Sequence, residues 1–373
     1  MLYKQPKIKT DISRKLGWST SLATLFLVFT LSGCGSDKQD ETPTVDFDKK
    51  RMLTNVADNI IIPNYEKLDA DVDELIAAAE FYLKDSSETN LKSLQSAYLT
   101  THNTWNEVAF FEFGPATTVQ LRNIFNTYPT DTARINSNIA GGKYILGSVS
   151  NIDATGLNAL DYLLFGIKEP LTLDQRQYVL NVCDQLEDKI ETTLEGWKSG
   201  YRDSFVSNTS TSAGSSLSVL FNEFSLYTER FVRTGKVRLP AGIFSGNEIK
   251  PNLVEGRFSK DYSVKYIQTA LKSLSAYYYG NGTAGDGFSW DDYLEAVDAD
   301  YRDTKLHLQI RNAFAEAIAK SEELSDDYIG ELTNNRSKVV ELYNEIQDIT
   351  VLIKIDMMQA LSIKITYEDT DGD

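Results

Sequence analysis

"TLDQRQYVLNVCDQLEDKIETTLEGWKSG", residues 172–200, decides the fold class. Its apolar positions Val179, Cys183, Leu186, Ile190 and Trp197 recur at the spacing of one helix face, and no two-residue alternation competes with them. Gly200 stands where a C-cap glycine would end the helix. The same spacing extends upstream. Leu53, Val56 and Ile60 begin a helix that Pro63 should break or kink, and Tyr65, Leu68, Val72, Leu75, Ala79 and Tyr82 resume it. Leu91, Leu94, Tyr98, Thr101, Trp105 and Val108 form the next, stopped by "FGP" at 113–115. Downstream, Leu217, Leu220, Phe224 and Phe231 mark one helix, and residues 260–279 mark another, closed by "GNGTAGDG". Leu306, Ile310, Phe314 and Ala317 mark a further helix. The last runs Val339, Leu342, Ile346, Ile349 and Ile353, then Asp356 or Met357. The expectation is an all-α chain of two helical-bundle domains, 46–200 and 201–373, with the junction in 200–213.

The N-terminus reads as an address. Lys4, Lys7, Lys9, Arg14 and Lys15 precede the apolar run "LATLFLVFTLSG", so residues 1–33 are expected to be a signal peptide. The run ends in "LSGC", residues 31–34, which resembles a bacterial lipobox and makes Cys34 the expected lipidation site. Two or three acyl chains, at about 0.8 kcal/mol per buried methylene, anchor stably where one is marginal. Residues 34–45 then read as a polar tether. The expected location is the cell envelope, lipid-anchored in the outer membrane, with either the periplasmic or the outer face open.

The leader carries five basic residues and one acid, so the remainder has 32 Lys and Arg against 53 Asp and Glu, a net charge of −21. Nucleic acid is a poor partner for that charge; cations and basic surfaces are better ones. With Cys34 taken by lipid, Cys183 has no partner for a disulfide, and its place in the apolar stripe makes it a core thiol.

"GLNALDYLLFG" (156–166) is apolar on nearly every side, yet Asn158 and Asp161 lie one helical turn apart. Burying an unpaired amide or carboxyl costs on the order of 2–7 kcal/mol, so both need partners. His102, beside the packed face, and Asp356, in the last helix's seam, are further polar interruptions.

Several stretches together resemble the imelysin-like proteins, a family of exported, often lipid-anchored helical proteins. "AYLTTHNTWNEVAFFEFGP" (97–115) is similar to the family's aromatic helix ending in Phe-Gly-Pro, and "TYPTDTARI" (127–135) to its Trp-Pro-x-Asp segment. "ATGLNALDYLLFG" (154–166) is similar to its Gly-x-His-x-x-Glu signature. "SAGSSLSVLFNEFSLYTE" (212–229) and the C-terminal 353–373 match as well. The resemblance implies two helical domains with a ligand site at their interface, built on the signature helix. It also implies a peptidase activity or, through iron-regulated and iron-uptake members, metal binding. Gly156 keeps the signature glycine, but Asn158 stands for His and Asp161 for Glu. Asn is a hard, weak ligand, so Asp161 is the one signature carboxylate left for a metal.

The residues lean against an enzyme. The two histidines, His102 and His307, belong to no HExxH pair. No Gly-x-Ser-x-Gly elbow occurs, and "AGSSL" reads as a helix cap at Ser215 or Ser216. The tail "DTDGD" ends before a calcium loop could close. The expected function is an envelope lipoprotein binding a small ligand or a metal ion, with a divalent or iron cation as the implied cofactor and iron uptake as the implied setting. Its expected ligand set is Gly156, Asn158, Asp161, His102, Asp131, Ser216, Asn222 and Asp356. The alternative is a scaffold that has lost the site and contacts another envelope protein; the basic run "ERFVRTGKVR" (229–238) is either such a contact or a solvated helix end.

Overall fold

The computed structural model describes residues 46–168 and 170–367. The signal peptide, Cys34, the tether through residue 45 and the "DTDGD" tail lie outside the described residues. The described residues are mostly helical. In chain order the helices are α1 (Lys49–Asn55), α2 (Ile62–Lys84), α3 (Glu88–Val108), α4 (Pro115–Val119), α5 (Leu121–Asn126), α6 (Thr132–Gly141), α7 (Gly156–Asp161) and α8 (Leu173–Gly196). They continue as α9 (Arg202–Ser207), α10 (Ser216–Leu226), α11 (Ser263–Tyr279), α12 (Trp290–Ala296), α13 (Leu306–Glu322), α14 (Tyr328–Asn334), α15 (Arg336–Val351) and α16 (Met358–Leu361). Strand among the described residues is one antiparallel pair, with Asp300 opposite Lys305 and Tyr301 opposite Thr304.

Local chemistry explains several of the helix ends. Thr172 and Gln175 form a reciprocal capping box at the start of α8, satisfying amides that the first turn leaves free. Ser215 caps α10 by accepting from the Ser218 amide. Gly280 closes α11 in the left-handed conformation.

Among the described residues five π-helical segments change the phase of these helices, and they account for the departures at Pro63, Gly200 and Asp356. Pro63 causes no break: the π turn Val56–Ile61 precedes it, so the proline falls in the first turn of α2, where its missing N–H costs little. Trp197–Tyr201 carries α8 into α9 across a kink at Gly200, whose φ is +136°. Leu352–Met357 inserts a residue between α15 and α16. That shift gives the seam position after Ile353 to Met357, which is fully buried, and leaves Asp356 half-buried outside it. The expected place of Asp356 in the interior is thereby corrected.

Helix α2 packs against both α3 and α8; α11 lies against both α3 and α13, and α15 against α13 and the π segment Tyr227–Arg238. The described residues belong to one compact unit, Val45–Asp373, and the expected boundary at 200/201 is bridged by the packing of α3 on α11. Trp105, Trp197 and Trp290 are among the largest fully buried side chains. Cys183 is a buried free thiol whose pKa burial pushes up, which keeps it inert. No helix among the described residues is long and apolar enough to cross a membrane.

Candidate functional site

Helix α7 is pressed against α5. Gly156 sits at φ +74°, and a Cβ there would stand 2.3 Å from the Ile124 carbonyl oxygen. Glycine is required at this contact on both counts. The approach brings Asn158 and Asp161 inside, 4% and 1% exposed.

Both polar side chains face a loop, residues 254–259. The Asp161 carboxylate accepts from the Phe258 amide at 2.8 Å and from the Ser259 amide at 2.9 Å. Asn158 accepts from the Gly256 amide at 3.3 Å and donates to Asn126 Oδ1 at 2.6 Å. Burial raises the Asp161 pKa, against the pull of those amides and of His102. The pair therefore meets its cost of burial by holding backbone.

Glu255, in the same loop, is the hub of a second set. One of its oxygens accepts from His102 Nε2 at 3.0 Å and Asn126 Nδ2 at 2.7 Å; the other pairs with Lys236 Nζ. Lys236 also donates to Asn106 Oδ1 at 2.7 Å. A carboxylate only accepts, so His102 Nε2 carries a hydrogen toward Glu255, and Nδ1 shares a hydrogen bond with the Tyr98 hydroxyl, 2.8 Å away. The ring also stacks on Tyr266, centroids 3.9 Å apart. Burial would raise the Glu255 pKa, but Lys236 and His102 outweigh it and hold the carboxyl well below the usual range. Burial lowers the Lys236 pKa and Glu255 opposes that, so the two stand as an ion pair.

A crevice beside Asn158 and Asp161, walled by Tyr128, Thr130 and Phe258 among others, encloses about 10 Å³, space for about one water. The donor set does not fit a bound cation. Asp161 and Asn158 are spent on amides, Glu255 is neutralised by an ammonium, and no group of three or more His, Cys, Asp or Glu among the described residues could hold a metal.

Of the residues expected from sequence, Gly156, Asn158, Asp161 and His102 come together. Four are placed elsewhere. Asp131 caps α6 through the Arg134 amide at 2.9 Å. Ser216 donates to the Phe205 carbonyl at 2.7 Å. Asn222 holds the C-terminal segment by accepting from the Thr366 amide at 2.7 Å and donating to the Lys364 carbonyl. Asp356 is displaced by the π turn described above. The expected eight-residue ligand set is thus corrected to a smaller cluster with different members.

Asn106, Asn126, Lys236 and Glu255 were not anticipated. Asn106 follows His102 by four residues, so helical spacing alone could have found it. The run 229–238 is no solvated helix end: it is π-helical, and Glu229, Arg233 and Lys236 are buried. Nothing local marks Glu255 or Asn126.

A family model described as Imelysin matches residues 61–353. A search of curated proteins gives no match. Among solved structures, the chain is similar to an imelysin-like protein from Psychrobacter arcticum 273-4, at 20% identity and a TM-score of 0.69, covering 87% of this chain and 99% of that one. It is also similar to a protein from Parabacteroides distasonis ATCC 8503 named provisionally as an iron-regulated protein A precursor. That match has 15% identity and a TM-score of 0.70, and covers 86% of this chain and 97% of the other. At such identities the two structures establish a shared helical fold.

Proposed function

The chain belongs to the imelysin family, and from that premise we propose that it is a cell-envelope lipoprotein acting by contact with a partner, its signature site closed by its own side chains. One observation carries the reading: each polar group of the signature helix is engaged within the protein, and Lys236 supplies the positive charge that a bound cation would bring. Peptide hydrolysis has no support in this arrangement. His102 and Asp161 are buried and engaged, and the space beside Asp161 has room for about one water but no peptide. The lipobox supports anchoring through Cys34, and the net charge of −21 beyond the leader supports a basic partner surface.

Titration of the purified protein with ferrous, ferric, calcium and zinc ions, followed by metal analysis, tests the closed site. The expected result is no stoichiometric uptake. Stoichiometric uptake that disappears in Asp161→Leu would overturn the reading and restore metal capture. Cross-linking in intact cells, with and without Cys34→Ser, tests the partner and the anchor together. A role in iron acquisition rests on kinship with the iron-regulated neighbour, and transcript levels under iron limitation test it.

A further inference from the structure

Helix α5, the turn that follows it and the π segment Tyr227–Arg238 line a cavity of about 290 Å³. That volume lies at the small end of ligand cavities. The lining is mainly apolar, with Pro129, Phe231, Leu239 and Leu253 around it, and Leu239 is 38% exposed. Two guanidinium groups, those of Arg122 and Arg230, share this lining, and no carboxylate does.

The two arginines differ in how they are answered. Arg122 donates to Glu223 at 2.8 Å and to the Ala109 carbonyl at 2.9 Å, and its guanidinium lies 4.4 Å from the centre of the Phe231 ring. Arg230 pairs with no carboxylate among the described residues; the side-chain contact it makes there is with the ring of Tyr367, 5.6 Å away. One of its terminal nitrogens is buried without a hydrogen-bond partner. A buried donor on a charged group is costly to leave without an acceptor, and a carboxylate is the acceptor whose geometry matches a guanidinium fork. The deficit is a single charge. A second anionic group would meet only apolar wall, because Arg122 is already paired with Glu223.

We propose that this cavity binds a small amphipathic monocarboxylate, its carboxylate on the Arg230 guanidinium and its apolar body against Phe231, Leu239 and Leu253. The site draws on none of the signature residues. Asn126 stands in its wall, but the amide of that residue is spent on Glu255 and Asn158. Binding here is a function beyond the closed signature site, and it stands or falls separately from it.

The test is calorimetric titration of the full-length protein, purified from membranes in detergent, with 3-phenylpropionate and with octanoate at neutral pH. The amide of each acid serves as an uncharged control with the same body. One saturable site is expected for at least one acid, and its amide should bind at least about tenfold more weakly. Octanoate alone would assign a flexible aliphatic body, and 3-phenylpropionate alone a planar aromatic one. Arg230→Met should weaken binding at least about tenfold, and Arg230→Lys, which keeps the charge but not the fork, should weaken it less. Leu239→Trp, which fills the lip, should weaken it with the charge intact. Circular dichroism checks the fold of each variant. Absence of saturable heat with both acids would overturn the proposal. So would equal affinity for acid and amide, which is read on the parent protein, or unchanged affinity in a folded Arg230→Met.

Discussion

Lys236 and Glu255 form an ion pair from which water is excluded, each about 4% exposed or less, between a π-helical segment and the loop beyond it. Around that pair the helices α3, α5 and α7 contribute His102, Asn106, Asn126 and Asn158, so one charge couple organises elements from far apart in the chain.

Removing one member leaves the other charged and buried. Lys236→Met or Glu255→Gln should each destabilise the fold by about 3–5 kcal/mol. The double variant should cost less than the sum, since neither charge is then stranded. Urea denaturation of the four proteins in a double-mutant cycle measures the coupling; additive losses would show that the pair is not coupled.

Asp161 is expected to act as the clamp on residues 254–259. Asp161→Asn turns one acceptor into a donor facing an amide N–H, at a cost of about 1–3 kcal/mol. Hydrogen exchange should accelerate at the Phe258 and Ser259 amides before it changes in α8. Unchanged protection at those two amides would remove the clamp from the account.

Two half-buried carboxyls set the pH response near neutrality. Burial, only partly opposed by Arg122, pushes Glu112 up to about 7, and burial together with Asp292 pushes Asp291 up to about 7. Both bind protons more tightly folded than unfolded, so their contribution is full below about pH 4 and is lost as pH rises through 7. Stability should fall between pH 5 and pH 8 by about 1–3 kcal/mol, less than the full shifts imply because both groups retain some solvent. Glu255, held low, acts in the opposite sense: its contribution is present above the ordinary carboxylate range and is lost only in strong acid. Glu112→Gln with Asp291→Asn should flatten the profile from pH 5 to pH 8 in denaturant melts.

Gly156→Ala should destabilise by about 1–3 kcal/mol from its positive φ alone, and by more once the methyl meets the Ile124 carbonyl. Thermal melting reports the loss. A variant as stable as the parent would mean that α7 can move away from α5 without penalty.

The sequence by itself determined the long helices, the faces they bury, the core position of Cys183 and the inward turn of Asn158 and Asp161, because the helical period and the capping of helix ends are local properties. It could not place Asp356, since one residue added in a π turn moves every side chain beyond it to another face. Nor could it tell what answers the buried Asn and Asp. That partner is backbone from a loop about a hundred residues away, and the charge beside it is a lysine from a run that local reading leaves in solvent. Such pairings are decided by how helices pack, because a buried polar group accepts whichever partner the tertiary structure delivers within hydrogen-bond reach.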